Sequence, residues 1–88
     1  MPTVIVPPPY QGPTRAVGRV EVAAGSVREC LDELEARFPG FRAQVMSGGA
    51  VHRFVKLFLN GELLAGPDLE RKLEGPDELE IVAAIAGG

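Results

Sequence analysis

The 88-residue chain has little of what most active sites are built from: one cysteine, one histidine and no tryptophan. A single cysteine permits no internal disulfide and fits a reducing cytoplasm, the expected location. It also counts against an iron–sulfur ferredoxin, whose clusters normally take four protein ligands. No metal site is expected. The chain lacks the roughly 20 consecutive apolar residues of a membrane span. Its start, MPTVIVPPPY, lacks the cationic region and apolar stretch of a signal peptide. The formal net charge of −3 removes the attraction on which nucleic-acid binding depends. There is no G-x-x-x-x-G-K-[ST] phosphate loop and no room for a nucleotide domain beside a core this small, so no bound cofactor and no catalytic residue is assigned.

What is present is regular patterning in one domain of 45% apolar composition. Val4, Ile5 and Val6 make a short strand closed by Pro7-Pro8-Pro9, which cannot donate ladder hydrogen bonds. GRVEVA then alternates with the two-residue period of a half-buried strand, which predicts an antiparallel pair with the first. In SVRECLDELEARFPG the period changes to that of a helix, with Val27, Cys30, Leu31, Leu34 and Phe38 on one face and Arg28, Asp32, Glu35 and Arg37 opposite. Ser26 and Glu29 form a capping box at its start, and Pro39-Gly40 ends it. Cys30 lies on the apolar stripe and is read as core.

Residues 41–53, with Gly48-Gly49 inside, read as a long mobile connection. His52 at its end is read as structural or solvent-facing. VKLFLNGELL alternates again and turns at Asn60-Gly61, where both residues tolerate positive φ, giving a hairpin. After the turn-rich AGPDLERKLEGPD comes ELEIVAA, a last strand running almost to the terminal glycines.

The order β-β-α-β-β-β, with one helix covering one face of a mixed sheet, is an α+β arrangement and the order of the ubiquitin-like β-grasp fold. Two stretches add to this: VHRFVKLFLNGE and the ending VAAIAGG. With them the whole chain resembles the MoaD/ThiS-like sulfur carriers, and it is most similar in look to the type linked to a cysteine synthase. Where molybdopterin-type carriers often have prolines before the tail, this chain has Ala83-Ala84. The resemblance implies a β-grasp domain over residues 1–83 and a flexible tail over 84–88. It also implies that the Gly88 carboxylate is adenylated by an E1-like enzyme using ATP and Mg, then converted to a thiocarboxylate that donates sulfur. The acceptor would be a cysteine synthase-like, thiazole synthase-like or molybdopterin synthase-like enzyme.

The residue types agree with that chemistry on independent grounds. A terminal carboxyl, with a pKa of about 3.3–3.7, is an anion and a poor electrophile at neutral pH, so it must be activated from outside the chain. Gly87 and Gly88 lack a Cβ and can enter a channel that would clash with any other residue. Extended, residues 84–88 reach about 17 Å. Ala86 keeps the approach narrow, and Ile85 is its one anchor. If the last strand lies between the first and third, Val4, Val6, Leu57, Leu59, Leu79 and Ile81 face the helix. The other face then carries Ile5, Phe58 and Val82 as a partner patch, with Lys56 and Arg53 at the rim. Two other functions start from the same fold: a ubiquitin-like modifier joined to lysines of other proteins, and an interaction module whose Gly-Gly end is incidental.

Overall fold

The computed structural model describes residues 1–8, 11–12, 18–64 and 68–83. In chain order the elements are β1 (Thr3–Ile5), β2 (Arg19–Glu21), α1 (Val27–Arg37), α2 (Phe41–Val45), β3 (Met46–Ser47), β4 (Ala50–Val51), β5 (Val55–Leu59), β6 (Glu62–Leu63) and β7 (Glu78–Ala83). Five strands form one sheet in the order β2-β1-β7-β5-β6, and β3 and β4 form a separate hairpin. β1 pairs antiparallel with β2 and parallel with β7, while β5 is antiparallel to both β7 and β6. The last strand therefore lies between the first and the NG hairpin, and this is the mixed β-grasp sheet expected from the sequence.

Alternation decides which side chains fill the core. Val4, Leu57, Leu59, Leu79 and Ile81 all turn to the inner face, and Val6 joins them just past the end of β1; each is at most 7% exposed. They meet Val27, Cys30, Leu31 and Leu34, the buried stripe of α1, while Phe38 is half-buried and packs at the edge of the same cluster. At roughly 25 cal/mol per Å² of apolar surface removed from water, this contact is the main favourable term in folding.

The start of α1 leaves no backbone donor of its first turn unpaired. Ser26 Oγ accepts from the Glu29 N–H at 3.2 Å, and the Cys30 N–H donates to the Ser26 carbonyl at 3.0 Å. The Val27 and Arg28 N–H groups, which have no partner inside a helix, donate to the carbonyls of Arg71 and Leu69 at 3.1 and 2.8 Å. Glu29 Oε1 accepts from Gly25 N–H at 2.8 Å, one residue upstream of the N-cap that a reciprocal capping box would use. Segment 68–73 thus completes the helix cap. Its Leu69 and Leu73 are buried, 8% and 6% exposed, and tie that cap to the core.

Residues 41–53 are not the mobile connection that their length and glycines suggest. Phe41 and Val45, four apart, are 0% and 1% exposed and anchor the short helix α2 to the core. Its start is held from α1: Glu35 accepts from the Arg42 N–H at 2.9 Å and the Gly40 N–H at 3.2 Å. Gly48 and Gly49, with φ of 60° and 83°, make the two-residue turn between β3 and β4. His52 is half-buried, and its N–H donates to the Val45 carbonyl at 2.9 Å. The glycines read as a sign of mobility serve instead as turn residues.

The NG turn is built as expected, with φ of 51° at Asn60 and 87° at Gly61. The Asn60 side chain does more than tolerate that conformation. Its Nδ2 donates to Asp77 at 3.0 Å and its Oδ1 accepts from the Glu78 N–H at 2.9 Å, fastening the hairpin to the start of β7. Among the described residues no helix is long and apolar enough to cross a membrane.

Two outcomes follow for stability. Leu31, 1% exposed, is at the centre of the α1 stripe, so Leu31→Ala is expected to cost about 2–5 kcal/mol in denaturant titration; a neutral result would mean that the stripe does not carry the core. The backbone N–H of Arg42, then that of Gly40, hold the Glu35 carboxyl below its usual 4.5. The N–H of Glu74, then the Asn60 amide, hold Asp77 below 3.8. Carboxyls lowered in the folded state contribute stability that is complete above their unfolded values and is lost as pH falls through the folded ones. Stability should therefore decline below about pH 4.5, and less steeply in Glu35→Gln. Parallel acid limbs for the two proteins would remove Glu35 from this role.

Candidate functional site

The hydrogen-bond register fixes what the outer face of the sheet presents. With Leu79 and Ile81 turned inward, β7 points Glu78, Glu80 and Val82 outward; β5 contributes Lys56 and Phe58, and β1 contributes Ile5. Ile5 is paired with Arg19 on one side and Glu80 on the other, Glu80 with Phe58, and Phe58 with Leu63. One row thus runs Arg19–Ile5–Glu80–Phe58–Leu63 across all five strands. One step nearer the end of β7, Val82 lies opposite Lys56, and Ala83 opposite Val55.

This register changes the expected patch. Ile5, Phe58 and Val82 do share the outer face and are all half-buried. Phe58 and Val82 are diagonal neighbours, but Ile5 is not beside Phe58. Glu80 stands between them on the central strand, two strand spacings of about 4.8 Å separating the two apolar side chains. Phe58 is also less exposed than expected, being half-buried, while Leu63, its partner across the hairpin, is 55% exposed. The exposed aromatic of this region is Phe54, at 45%. The Arg53 guanidinium lies 4.8 Å from the centre of its ring, a cation–π contact at the surface just before β5 begins. Lys56 is exposed opposite Val82 near the end of β7, and Arg53 is exposed just before β5 begins.

Sequence reasoning missed Glu80, Leu63 and Phe54. The first two were readable: alternation puts Glu80 between Glu78 and Val82, and a two-residue turn at 60–61 must place 63 opposite 58. Phe54 precedes the alternating run and gave no periodic signal. Residues 84–88, expected to form the flexible reactive tail with Ile85, Ala86, Gly87 and Gly88 as its site residues, lie outside the described residues.

Charges on this face differ in how they are used. Arg19 reaches across β1 to Glu78, 2.7 Å away, an exposed pair of small energetic weight. Neither Glu80 nor Lys56 has an ion-pair partner among the described residues. The one thiol is no part of the site. Burial of Cys30, aided by the neighbouring Glu29 charge, pushes it up to about 11.

A single main helix across a mixed sheet whose last strand is central defines the ubiquitin-like β-grasp class. The chain belongs to the ThiS family, whose match spans residues 13–88, and it is a sulfur carrier of this ubiquitin-like type. It is similar to a chain in the crystal structure of the Amycolatopsis orientalis BexX/CysO complex, with 31% identity, all of both chains covered and a TM-score of 0.89. It is also similar to Mycobacterium tuberculosis CysO, described as an antigen, with 25% identity over 97% of this chain and 100% of that one and a TM-score of 0.86. SAMP1 from Haloferax volcanii, at 23% identity over 99% and 98% of the two chains and a TM-score of 0.76, shares the fold. No curated protein matches.

The buried thiol gives a direct check on the inner face. With its thiolate at about one part in a thousand at pH 8, Cys30 should react with Ellman's reagent at least about a hundredfold more slowly than a free thiol until the protein is unfolded. Rapid labelling of the native protein would place Cys30 at the surface and break the helix phase.

Proposed function

We propose that this carrier is activated at Gly88 by an ATP-dependent, E1-like enzyme and then carries sulfur as a C-terminal thiocarboxylate. The observation that carries the reading is the position of β7. It is paired with β1 through Glu80 and with β5 through Ala83, and the sequence that follows it is Ala-Ile-Ala-Gly-Gly. Pairing with β5 as far as Ala83 supports a tail that begins there, and the folded body of residues 1–83 then serves as the handle for a reactive segment of residues 84–88. Ile85, Ala86 and Gly87 are the stretch that the partner's channel recognises.

The chemistry balances without help from this chain's side chains. A carboxylate oxygen of Gly88 attacks the α-phosphorus of ATP, and pyrophosphate leaves with Mg supplied by the partner. A sulfur nucleophile on or delivered by the partner then adds to the acyl carbon and AMP departs. Transfer through a partner persulfide needs a thiol to reduce the S–S bond and release the thiocarboxylate. The chain is thus a co-substrate, with the partner enzymes as catalysts and ATP bound by the activator. Ile5, Phe58 and Val82, with Lys56 and Arg53 at the rim, form the docking face. The similar Amycolatopsis orientalis structure is a complex with a second protein, which supports a partner-docking role; the kind proposed for the second partner is a sulfur-accepting synthase. Activation and transfer are placed in the cytoplasm.

Gly88→Ala is expected to fold normally yet be activated at least about a hundredfold more slowly, because aligned reactions lose that much for displacements of about 1 Å. ATP–pyrophosphate exchange reads the first step, and intact mass reads the exchange of one terminal oxygen for sulfur. Wild-type rates from Gly88→Ala would sink the activated-terminus reading. A covalent adduct to protein lysines in place of the sulfur exchange would favour the modifier function.

A further inference from the structure

The middle of the docking face is a carboxylate, not an apolar side chain. Glu80 is exposed on the central strand, with Ile5 opposite it on β1 and Phe58 opposite it on β5. The nearest cation in its row, Arg19, is bound to Glu78 instead. Lys56 is diagonal to Glu80 across the β5–β7 pair yet forms no ion pair with it. Glu80 is therefore solvated in the free protein, and any partner that covers Ile5 and Phe58 together must strip its water.

We propose that Glu80 is a specificity-determining residue of the docking face, and that the activating enzyme presents an arginine or lysine into the centre of an otherwise apolar contact with Ile5, Phe58 and Leu63. The inference rests on the carrier reading above. The activating enzyme is the occupant to which it commits, because the Gly88 carboxylate must be activated before any acceptor can use it. An uncompensated carboxylate buried in an interface opposes association more strongly than the apolar contacts around it favour it, whereas a paired one is tolerated and fixes register. Glu80 thus acts in both directions: it admits a surface with a cation at that point and rejects one without. It also disfavours self-association through this face, since a two-fold contact centred on the row would set two Glu80 carboxylates together.

The test measures ATP–pyrophosphate exchange by the activating enzyme as a function of carrier concentration, for the wild type, Glu80→Gln, Glu80→Asp and Glu21→Gln. Glu21 is an exposed carboxylate on the edge strand β2, so its variant makes the same change in net charge away from the row. Glu80→Gln is expected to raise KM about tenfold or more with kcat within about twofold, because Glu80 serves docking and not the reacting atoms. Glu80→Asp should recover part of the loss, Glu21→Gln should stay within about twofold of wild type, and added salt should raise the wild-type KM more than that of Glu80→Gln. An unchanged KM for Glu80→Gln, or an equal rise for Glu21→Gln, overturns the proposal. Normal activation of Glu80→Gln with loss of sulfur delivery to the acceptor overturns the choice of occupant. Absence of exchange with the wild-type chain overturns the carrier reading, and this inference with it.

Discussion

The parallel pairing of β1 with β7 is the constraint on which the rest of the molecule depends. Thr3 meets Glu78, Val4 meets Leu79 and Ile5 meets Glu80, joining the two ends of the chain in the middle of the sheet. The entropy of closing so long a loop grows only with the logarithm of its length, but that cost must be met before any contact within the pair forms. The inner-face residues Val4, Leu79 and Ile81, each at most 1% exposed, supply the compensation by burial against α1. β5 then closes the other side of β7 through five residue pairs. The final strand is thereby paired on both edges through Glu80 and on the β5 edge as far as Ala83.

That arrangement divides the sheet into a face that folds and a face that remains free to bind. The inner face has α1, α2 and the buried leucines of segment 68–73 across it. The outer face has no described element over it, and its residues show less uniform character: Arg19–Glu78 satisfied internally, Glu80 and Lys56 left to solvent, and Ile5, Phe58 and Val82 half-buried by their neighbours. Segment 68–73 shows how the folding side economises on elements. It is irregular, yet its carbonyls complete the cap of α1 and its two leucines extend the core.

Legibility in the sequence followed the reach of the forces involved. Period-two alternation gave the strands and their inner faces, the three-to-four period gave α1, and Asn60-Gly61 gave the hairpin, since each depends on residues close together in the chain. Residues 41–53 were misread because α2 is too short for a period to show, and because its start is stabilised by Glu35 from the preceding helix. The burial of Phe41 and of Leu69 is likewise tertiary, visible only once α1 provides a surface. On the site, the membership of Ile5, Phe58 and Val82 in one face was readable. Their spacing was not, because the gap between Ile5 and Phe58 is set by which strand enters between them.

Under the proposed activation at Gly88, the demands of the tail explain why such a face is needed. A segment that must pass through a narrow channel can carry almost no side chains, and Ala-Ile-Ala-Gly-Gly offers one sizeable apolar group. Affinity and selectivity must therefore come from elsewhere on the carrier, at a fixed distance from the reactive end. β7 would satisfy both conditions at once, since Glu80 and Val82 of the proposed docking face lie on the last strand before residues 84–88. Lys56 lies opposite Val82, one pair from the last described residue, and Glu80 lies two residues further back. A partner that reads an apolar row, a central anion and a cation near the strand end can match them in one orientation only. In that orientation recognition of the body would, under the proposed function, become placement of the carboxylate.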